Sequence, residues 1–303
     1  MKIFYAAFFL AASVNAYSQT LSDALMMSKS NLCTGFMYGH DQWKNYWEGN
    51  LKRDNQNIGN LATQSLTWVG VYGLSEKVNL VATLPYVKTK ASGGTLAGQE
   101  GIQDLTIGAK YRIVKQQVGK GSFTVFGAGS FTTPLSDYTP DFFPLSLGTA
   151  STTVSGRFIT GYALEQGIYF NATAAYTWRS NVTLDRPSYY TDNTFFETNE
   201  VQMPNVFDYS LEAGYRKKAF QGALSFMQQN TLGGGDIRRQ DMPFVSNQMN
   251  ASRLGALVMY YLPKPKNLAV RLIGSYVVAG RNVGQSTSFM GGLLYTFNFA
   301  KGQ

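Results

Sequence analysis

The sequence predicts an all-β protein: a transmembrane, antiparallel, up-and-down β-barrel of about twelve strands that follows an N-terminal signal peptide. Three observations lead to this prediction. The last strand alternates strictly between two faces, most strand-like segments have about ten to fourteen residues, and the connections are short and long in turn. Outer-membrane barrels combine these properties, because each strand crosses the bilayer and alternates lipid-facing with lumen-facing side chains.

The last predicted strand, 286–299, reads STSFMGGLLYTFNF. Successive side chains on a strand point to opposite faces, so a period of two indicates a strand rather than a helix. One face ends in three aromatic residues spaced two apart, Tyr295, Phe297 and Phe299. Such a row near a strand end is typical of the aromatic girdle at a membrane interface. We therefore expect this segment to close the barrel.

The composition favours strands over helices as the membrane-crossing elements. The chain of 303 residues is 44% hydrophobic and 15% charged, with a mean hydropathy of −0.15. After the N-terminus, no apolar run approaches the roughly 20 residues that a spanning helix needs. The net charge of +8 is spread along the chain, so we expect no nucleic-acid partner. The single Cys33 excludes an intrachain disulfide framework.

The N-terminus predicts export from the cytoplasm. Lys2 precedes the apolar stretch 3–14, and the small residues that a signal peptidase requires end at Ala16. We predict a signal peptide over 1–18, with cleavage after Ala16 or Ser18. The apolar stretch is too short to anchor the chain in a membrane. The mature protein is therefore expected in the bacterial outer membrane.

The exported chain divides into two parts. Residues 19–30 are predicted to form a short periplasmic segment, with a plug inside the barrel as the alternative, and residues 31–303 form the barrel. The predicted strands are 31–41, 61–73, 78–89, 102–114, 122–133, 152–163, 168–179, 205–217, 219–229, 249–262, 268–279 and 286–299. The long connections are 42–60, 90–101, 134–151, 180–204 and 230–248, with a shorter sixth at 280–285. Because the strand number is even, both termini are expected on the periplasmic side.

Charged residues lie on the faces opposite the apolar ones. On 205–217, for example, Phe207 and Tyr209 alternate with Asp208, and Leu211 is followed by Glu212. Ionisable groups on an inner face are costly in a dry core and natural around a wet lumen. The candidate lumen-lining residues are Asp104, Lys110, Arg112, Arg157, Arg179, Asp208, Glu212, Arg216, Arg253 and Arg271.

Two interpretations of these inward charges remain open. They either line a permeation path whose basic excess favours anions or polarised groups, or they form a ladder of salt bridges that fills and stiffens the barrel. Twelve strands lie between small filled barrels and the 16–18-stranded porins, so the predicted bore is narrow.

The long connections are rich in aromatic residues, which is unusual for solvent-exposed loops. Candidates for an entrance site are Tyr138, Phe142, Phe143, Tyr189, Tyr190, Phe195 and Phe196. These side chains either fold inward as a lid over an apolar entrance or pack on each other at the rim.

The sequence offers little support for catalysis. A lipase-type barrel needs a serine nucleophile activated by histidine, and the only histidine is His40, near the outer end of the first strand. One histidine and one cysteine do not make a metal-ligand set, so we expect neither a metal nor a cofactor.

Three stretches carry a family resemblance: 79–91, 101–113 and 293–299. The first contains a Pro85-Tyr86 step, and the second begins with the Gly-x-x-Asp-Leu pattern of Gly101, Asp104 and Leu105. In these motifs the chain resembles the transporter-like outer-membrane barrels named for the meta-pathway of phenol degradation, in their Bacteroidetes-type form. The resemblance implies uptake of hydrophobic or aromatic compounds, and it transfers no catalytic or binding residues.

These observations lead to one favoured function and two alternatives. The favoured hypothesis is a monomeric channel or transporter, surrounded by outer-membrane lipid, for a small hydrophobic or aromatic solute. The first alternative is a plugged barrel without transport, which presents its loops to partners. The remote alternative is an outer-membrane lipase-type enzyme.

Overall fold

The computed structural model describes residues 20–238 and 243–299, and these residues form one closed antiparallel sheet. Its twelve long strands are β1 Asn31–Trp43, β2 Leu61–Gly73, β3 Val78–Ala91, β4 Asp104–Val118, β5 Gly121–Pro134, β6 Thr153–Leu164, β7 Ile168–Arg179, β8 Val206–Lys217, β9 Phe220–Thr231, β10 Asn250–Tyr261, β11 Leu268–Arg281 and β12 Thr287–Asn298. The thirteenth strand of the sheet, Glu100–Ile102, is a short addition to β3. The predicted signal peptide lies outside the described residues.

The sheet closes through its first strand. β1 pairs with β2 on one edge and with β12 on the other, in a register that runs from Asn31 opposite Asn298 to Gln42 opposite Thr287. Every other long strand pairs with the strands before and after it in the chain. The predicted twelve-stranded up-and-down barrel is therefore confirmed. Closure leaves no sheet edge, so the backbone N–H and C=O groups of each strand form hydrogen bonds with those of its two neighbours.

The two faces of the wall differ as the alternation predicts. On β8 the side chains of Phe207, Tyr209 and Leu211 are exposed on the outside. Asp208 and Glu212, which belong to the alternate positions of the same strand, are half-buried on the inside. Every one of the twelve long strands carries exposed large apolar side chains in the same way. An apolar outer surface of this extent is suited to a lipid environment and not to water.

Most predicted strands differ from the structure by one or two residues at an end, and 102–114 differs most. The prediction gave 102–114 and a short connection after it, whereas β4 begins at Asp104 and continues to Val118. A β-bulge between Arg112 and Val114 shifts the register against β5, and the pairing then continues to Val118 opposite Gly121. The bulge breaks the alternation of apolar and polar residues, which is why the sequence pattern ended early.

The barrel has two unlike ends. At the turn end the connections have a few residues each, as at 74–77 and 165–167. At the loop end the connections are long, and some contain short hairpins, such as Asn45–Glu48 with Leu51–Asp54 and Tyr189–Thr191 with Thr194–Phe196. Among residues 20–238 and 243–299, no helix has the length and apolarity to cross a membrane.

The outer surface gives a first prediction. Leu211 lies in the middle of β8 with 56% of its surface exposed, and Leu51 in the first long connection is 57% exposed. We expect Leu211→Arg to lower the free energy of unfolding from lipid vesicles by about 2–4 kcal/mol, because arginine is costly at the bilayer midplane. Leu51→Arg, which faces water, should change it by less than about 0.5 kcal/mol. Equal effects of the two substitutions, measured by guanidinium titration, would contradict a lipid-facing position for Leu211.

Candidate functional site

The N-terminal segment, residues 20–30, lies inside the lumen. The Lys110 ammonium on the inner face of β4 donates to Thr20 O at 2.7 Å, Asp23 O at 3.1 Å and Asp23 Oδ1 at 2.9 Å. On another part of the wall, Thr173 Oγ1 of β7 donates to Ser22 O at 2.9 Å. Lys110 has no exposed surface, so the segment covers it completely. These contacts make the segment a plug held between separate parts of the wall.

Apolar contacts add to this anchoring. Met27 is buried in a cluster that includes Cys33 of β1 and Leu294 of β12. Farther into the lumen, other side chains of the segment pack on Phe126 of β5 and Ile159 of β6, both almost fully buried. The plug therefore contacts strands on several sides of the barrel.

The plug enters from the turn end. Ser30 N donates to Gly73 O, at the end of β2, at 2.8 Å. Two glycines of the wall make room for it, because a methyl group at Gly108 would lie 3.0 Å from a methyl carbon of Leu21, and one at Gly161 would overlap Ala24. The sequence analysis predicted a short periplasmic segment for 19–30, with a plug as the alternative; the contacts of residues 20–30 with the inner wall are those of the alternative. Inward glycines in otherwise regular strands were the one sequence signal for it.

A cavity of about 190 Å³ remains between the plug and the wall. Leu257 and Met259 of β10 form part of an apolar side, and Glu212, Asn171 and Arg271 contribute to a polar side. Asn171 Nδ2 donates to Glu212 Oε1 at 3.1 Å, which holds the carboxylate at the cavity wall. The cavity can thus accommodate a small molecule that has both apolar and polar parts.

Three more of the predicted lumen-lining residues are arginines that lie near the Asp208 carboxylate, toward the loop end. Asp208 of β8 interacts electrostatically with Arg157, Arg179 and Arg253. Arg157 Nη1 donates to the Ser130 hydroxyl at 2.9 Å. All four charged side chains are half-buried, so they reach the open part of the lumen.

The remaining predicted residues lie elsewhere. The Arg216 guanidinium stacks over the ring of Tyr169 at 4.8 Å near the turn end, and Arg112 is half-buried at the β4 bulge. Asp104, the first residue of β4, accepts a hydrogen bond from Tyr138 Oη at 2.6 Å. The ten predicted residues therefore do not form one site: Lys110 holds the plug, Glu212 and Arg271 line the cavity, and Asp104 anchors a loop.

The long connections form a loop layer that covers the loop end. Leu145 is fully buried against Leu61, and its carbonyl accepts a hydrogen bond from Thr89 Oγ1 at 2.6 Å. Arg186 and Asp141, from the connections after β7 and β5, form an ion pair at 2.8 Å. Connections from different sides of the barrel therefore hold one another in place.

The predicted entrance residues divide between the interior and the surface of this layer. Tyr138 and Tyr189 are buried, Phe143 is half-buried, and Phe142, Tyr190, Phe195 and Phe196 are exposed. Phe143 lines an apolar cavity of about 120 Å³ together with Trp43 and Tyr46, which come from the end of β1 and the connection after it. Tyr189 stacks on Phe196 with ring centroids 4.9 Å apart, and an entrance role for these residues stays a prediction.

Asp236 links the fifth connection to β11. Arg281 Nε and Nη2 donate to its two carboxylate oxygens, each at 2.8 Å, and Asn282 Nδ2 donates to Oδ1 at 2.7 Å. The hydrogen bonds from Arg281, and then that from Asn282, hold the pKa of the Asp236 carboxyl below its ordinary value, against the opposing effect of burial. The side-chain carbonyl of Asn282 in turn accepts from Gly49 N at 2.8 Å and Ile237 N at 3.0 Å.

The one histidine of the sequence lies on the outside of the barrel. His40 shares the outward face of β1 with the exposed Phe36 and Tyr38, away from the lumen. Within the described residues, no group of three histidine, cysteine, aspartate or glutamate side chains is placed to hold a metal ion.

Comparisons with known proteins place this architecture among outer-membrane barrels. The family described as "Putative MetA-pathway of phenol degradation" matches residues 56–291. The COG4313 outer membrane channel from Pseudomonas putida F1 is similar in structure, with a TM-score of 0.72 and 12% identity over 91% of this chain and 98% of that one. No curated protein sequence matches the chain.

Two further solved structures overlap less closely. The KdgM porin in complex with disordered oligogalacturonate has a TM-score of 0.46 and 8% identity, over 87% of this chain and 99% of that one. The CymD monoaromatic hydrocarbon channel has a TM-score of 0.41 and 11% identity, over 91% and 90%. The assignment of the fold to the outer-membrane β-barrels rests on the closed twelve-stranded sheet and on the likeness to the COG4313 channel.

The plug contacts give a second prediction. Asp23→Ala removes the carboxylate that pairs with the buried Lys110 ammonium. A hydrogen bond to a charged group is worth about 1.5–3 kcal/mol, so hydrogen exchange of residues 20–30 should accelerate roughly tenfold to a hundredfold. Lys29→Ala, at an exposed position of the same segment, is the matched control and should leave exchange unchanged. Equal protection in both variants would show that Asp23 does not hold the plug.

The Asp236 contact gives a third prediction, on pH. Because its folded-state pKa is depressed, the contact contributes stability above the ordinary carboxyl pKa and loses it as the pH falls through the folded-state value. We expect the fluorescence of Trp47, whose backbone N–H bonds Val283 O at 2.9 Å beside this contact, to change in that acid range. In Asp236→Asn this part of the titration should be absent. An unchanged titration in the variant would contradict the assignment.

Proposed function

The chain belongs to the family of the MetA-pathway of phenol degradation, and on this basis we propose that it is an outer-membrane channel for a small hydrophobic or aromatic solute. In this proposal the barrel acts as a monomer surrounded by lipid, with both termini in the periplasm. Solute enters at the loop layer, crosses the lumen and leaves at the turn end. The likeness to an outer membrane channel from Pseudomonas putida F1 supports the proposal.

One observation carries the proposal: the plug occupies the lumen without being part of the wall. Residues 20–30 pair with no strand of the sheet, and the twelve strands close without them. The plug can therefore leave the lumen without breaking a strand-to-strand hydrogen bond of the barrel. A gated channel requires a segment that blocks the lumen and can leave it while the wall stays intact.

The cavity beside the plug supports the choice of solute. Its volume of about 190 Å³ exceeds the roughly 150 Å³ at which an apolar protein cavity binds benzene. Leu257 and Met259 offer an apolar surface, while Glu212 and Arg271 offer hydrogen-bonding groups. A single-ring molecule with a polar substituent matches both sides of this cavity.

The plugged state is expected to dominate at rest. Leu25 and Met27 are buried, and burying one such side chain contributes about 1.5–3 kcal/mol. Together with the Lys110 hydrogen bonds, this favours the closed form, so openings are rare until the plug is displaced.

The alternative function is a plugged barrel that does not transport and presents its loops to partners. Two observations favour it. The plug covers Lys110 completely, and the loop layer is packed over the other end, so the plug and the loop layer both obstruct the lumen. The two functions predict different conductance once the plug is loosened.

The fourth prediction therefore compares conductance in planar bilayers. We expect the wild-type protein to open rarely and the triple variant Asp23→Ala, Leu25→Ser, Met27→Ser to open at least tenfold more often, because its plug has lost its main anchors. Liposomes that contain the variant should swell faster in a small aromatic alcohol. Lys29→Ala should behave as the wild type.

A crosslink supplies the reverse test. In a Cys33→Ser background, Ser22→Cys and Thr173→Cys place thiols where the plug contacts β7, and oxidation should close the loosened variant until a reductant is added. Heat-modifiable mobility in gel electrophoresis shows whether the loosened variant is a folded barrel. If the folded variant never conducts, the channel is wrong and the plugged barrel is favoured.

A further inference from the structure

Between the loop layer and the plug, three arginines and one aspartate lie on inner faces of neighbouring parts of the wall. Arg157 of β6 and Asp208 of β8 both lie opposite Ala175 of β7, whose small side chain leaves space between them. Arg179 lies farther along β7, at its loop end, and Arg253 is on the inner face of β10. Asp208 interacts electrostatically with all three arginines.

The positive charge of this cluster is not balanced. The acidic groups that interact with the three arginines are Asp208 and, through Arg253, Asp41. Asp41 also accepts a hydrogen bond from the Ser288 hydroxyl. Three guanidinium groups against two carboxylates leave one net positive charge. Because the side chains are half-buried, water compensates this charge less well than it does at the surface.

Most of the hydrogen-bond donors of the cluster bond no protein group of the described residues. Arg157 donates to Ser130, and Arg253 Nη1 donates to Gln229 Oε1 at 3.2 Å. Within the described residues, the Arg179 side chain makes no hydrogen bond or ion pair. Each guanidinium carries five N–H donors in a fork that matches a carboxylate.

An apolar cavity lies in the loop layer, on the loop side of Asp41. Trp43 follows Asp41 by two residues on the inner face of β1, and it lines the cavity of about 120 Å³ with Tyr46 and Phe143. The loop end of the lumen thus offers aromatic surface as well as charge.

We propose that Arg157, Arg179 and Arg253 form an anion site that binds the carboxylate of a small organic monoacid with an apolar body. This inference rests on the proposed function and narrows its solute class from aromatic compounds in general to aromatic monocarboxylates. One net positive charge selects a monoanion. In the bound state the carboxylate replaces water on the guanidinium donors, and the apolar body extends toward the loop layer.

The test compares two ligands that differ in charge. Binding of benzoate and of benzyl alcohol, which share the ring, is measured by calorimetry on the full-length protein in detergent at low salt. We expect benzoate to bind at least tenfold more tightly to the wild type, and added chloride to weaken it by competition and screening. Equal affinity for the two ligands would overturn the anion site.

Variants assign the effect to the cluster. Arg179→Gln is chosen first, because its side chain makes no contact that the fold depends on, and Arg157→Gln is the second variant. Each should reduce benzoate affinity at least tenfold and leave benzyl alcohol unchanged. Lys52→Gln, the same change of charge at an exposed position of the first long connection, is the control and should alter neither. Unchanged benzoate affinity in both arginine variants would overturn the proposal.

The outcome is separable from that of the channel. Liposome flux of benzyl alcohol through the plug-loosened variant tests transport without the anion site. Flux without a benzoate preference would retain the channel and remove the site. Benzoate binding that depends on Arg179, without flux of either compound, would retain the site and remove the channel.

Discussion

The pairing of β1 with β12 is the interaction on which the rest of the molecule depends. Asn31 to Gln42 meet Asn298 to Thr287 and close the sheet. In hydrocarbon, an unpaired N–H or C=O costs several kcal/mol, so an open sheet of this length would not be stable in a bilayer. Once the sheet is closed, each side chain faces either lipid or lumen. The apolar side chains then lie outside, and the charges on the inner faces of the strands must find partners within the narrow interior.

The inward charges are compensated by different partners at different depths of the lumen. Lys110, at mid-wall, is neutralised by Asp23 of the plug and by backbone carbonyl groups, so the covering segment is also its counter-charge. Arg216 lies on the ring of Tyr169, and Asp104 is bound by Tyr138. The cluster around Asp208 has more positive than negative charge. The inward charges therefore meet different partners at different depths, and a role of the Asp208 cluster in permeation stays a proposal.

The alternation of side chains made the wall predictable from the sequence, since it is a local pattern enforced by the membrane. The last strand, predicted at 286–299, is found at Thr287–Asn298. The pattern ended early at 102–114, where the bulge after Arg112 reverses the faces. The plug could not be placed in this way. Its contacts join Thr20 to Lys110 and Ser22 to Thr173, which are far apart in the chain. Residues 20–30 also show no alternation of apolar and polar residues from which a position could be predicted. The arginine cluster was foreseen as inward charges, but its convergence depends on the shear of the barrel.

Because residues 20–30 share no strand pairing with the wall, the protein separates two tasks that most folds combine. In the proposed channel, insertion and mechanical strength depend on the closed sheet, whereas the ease of opening depends on a short stretch of chain tethered at Asn31. Under that proposal, a substitution such as one at Leu25 adjusts the resting leak without disturbing assembly. Permeability can then be tuned, by evolution or by an engineer, without a change in the closed sheet.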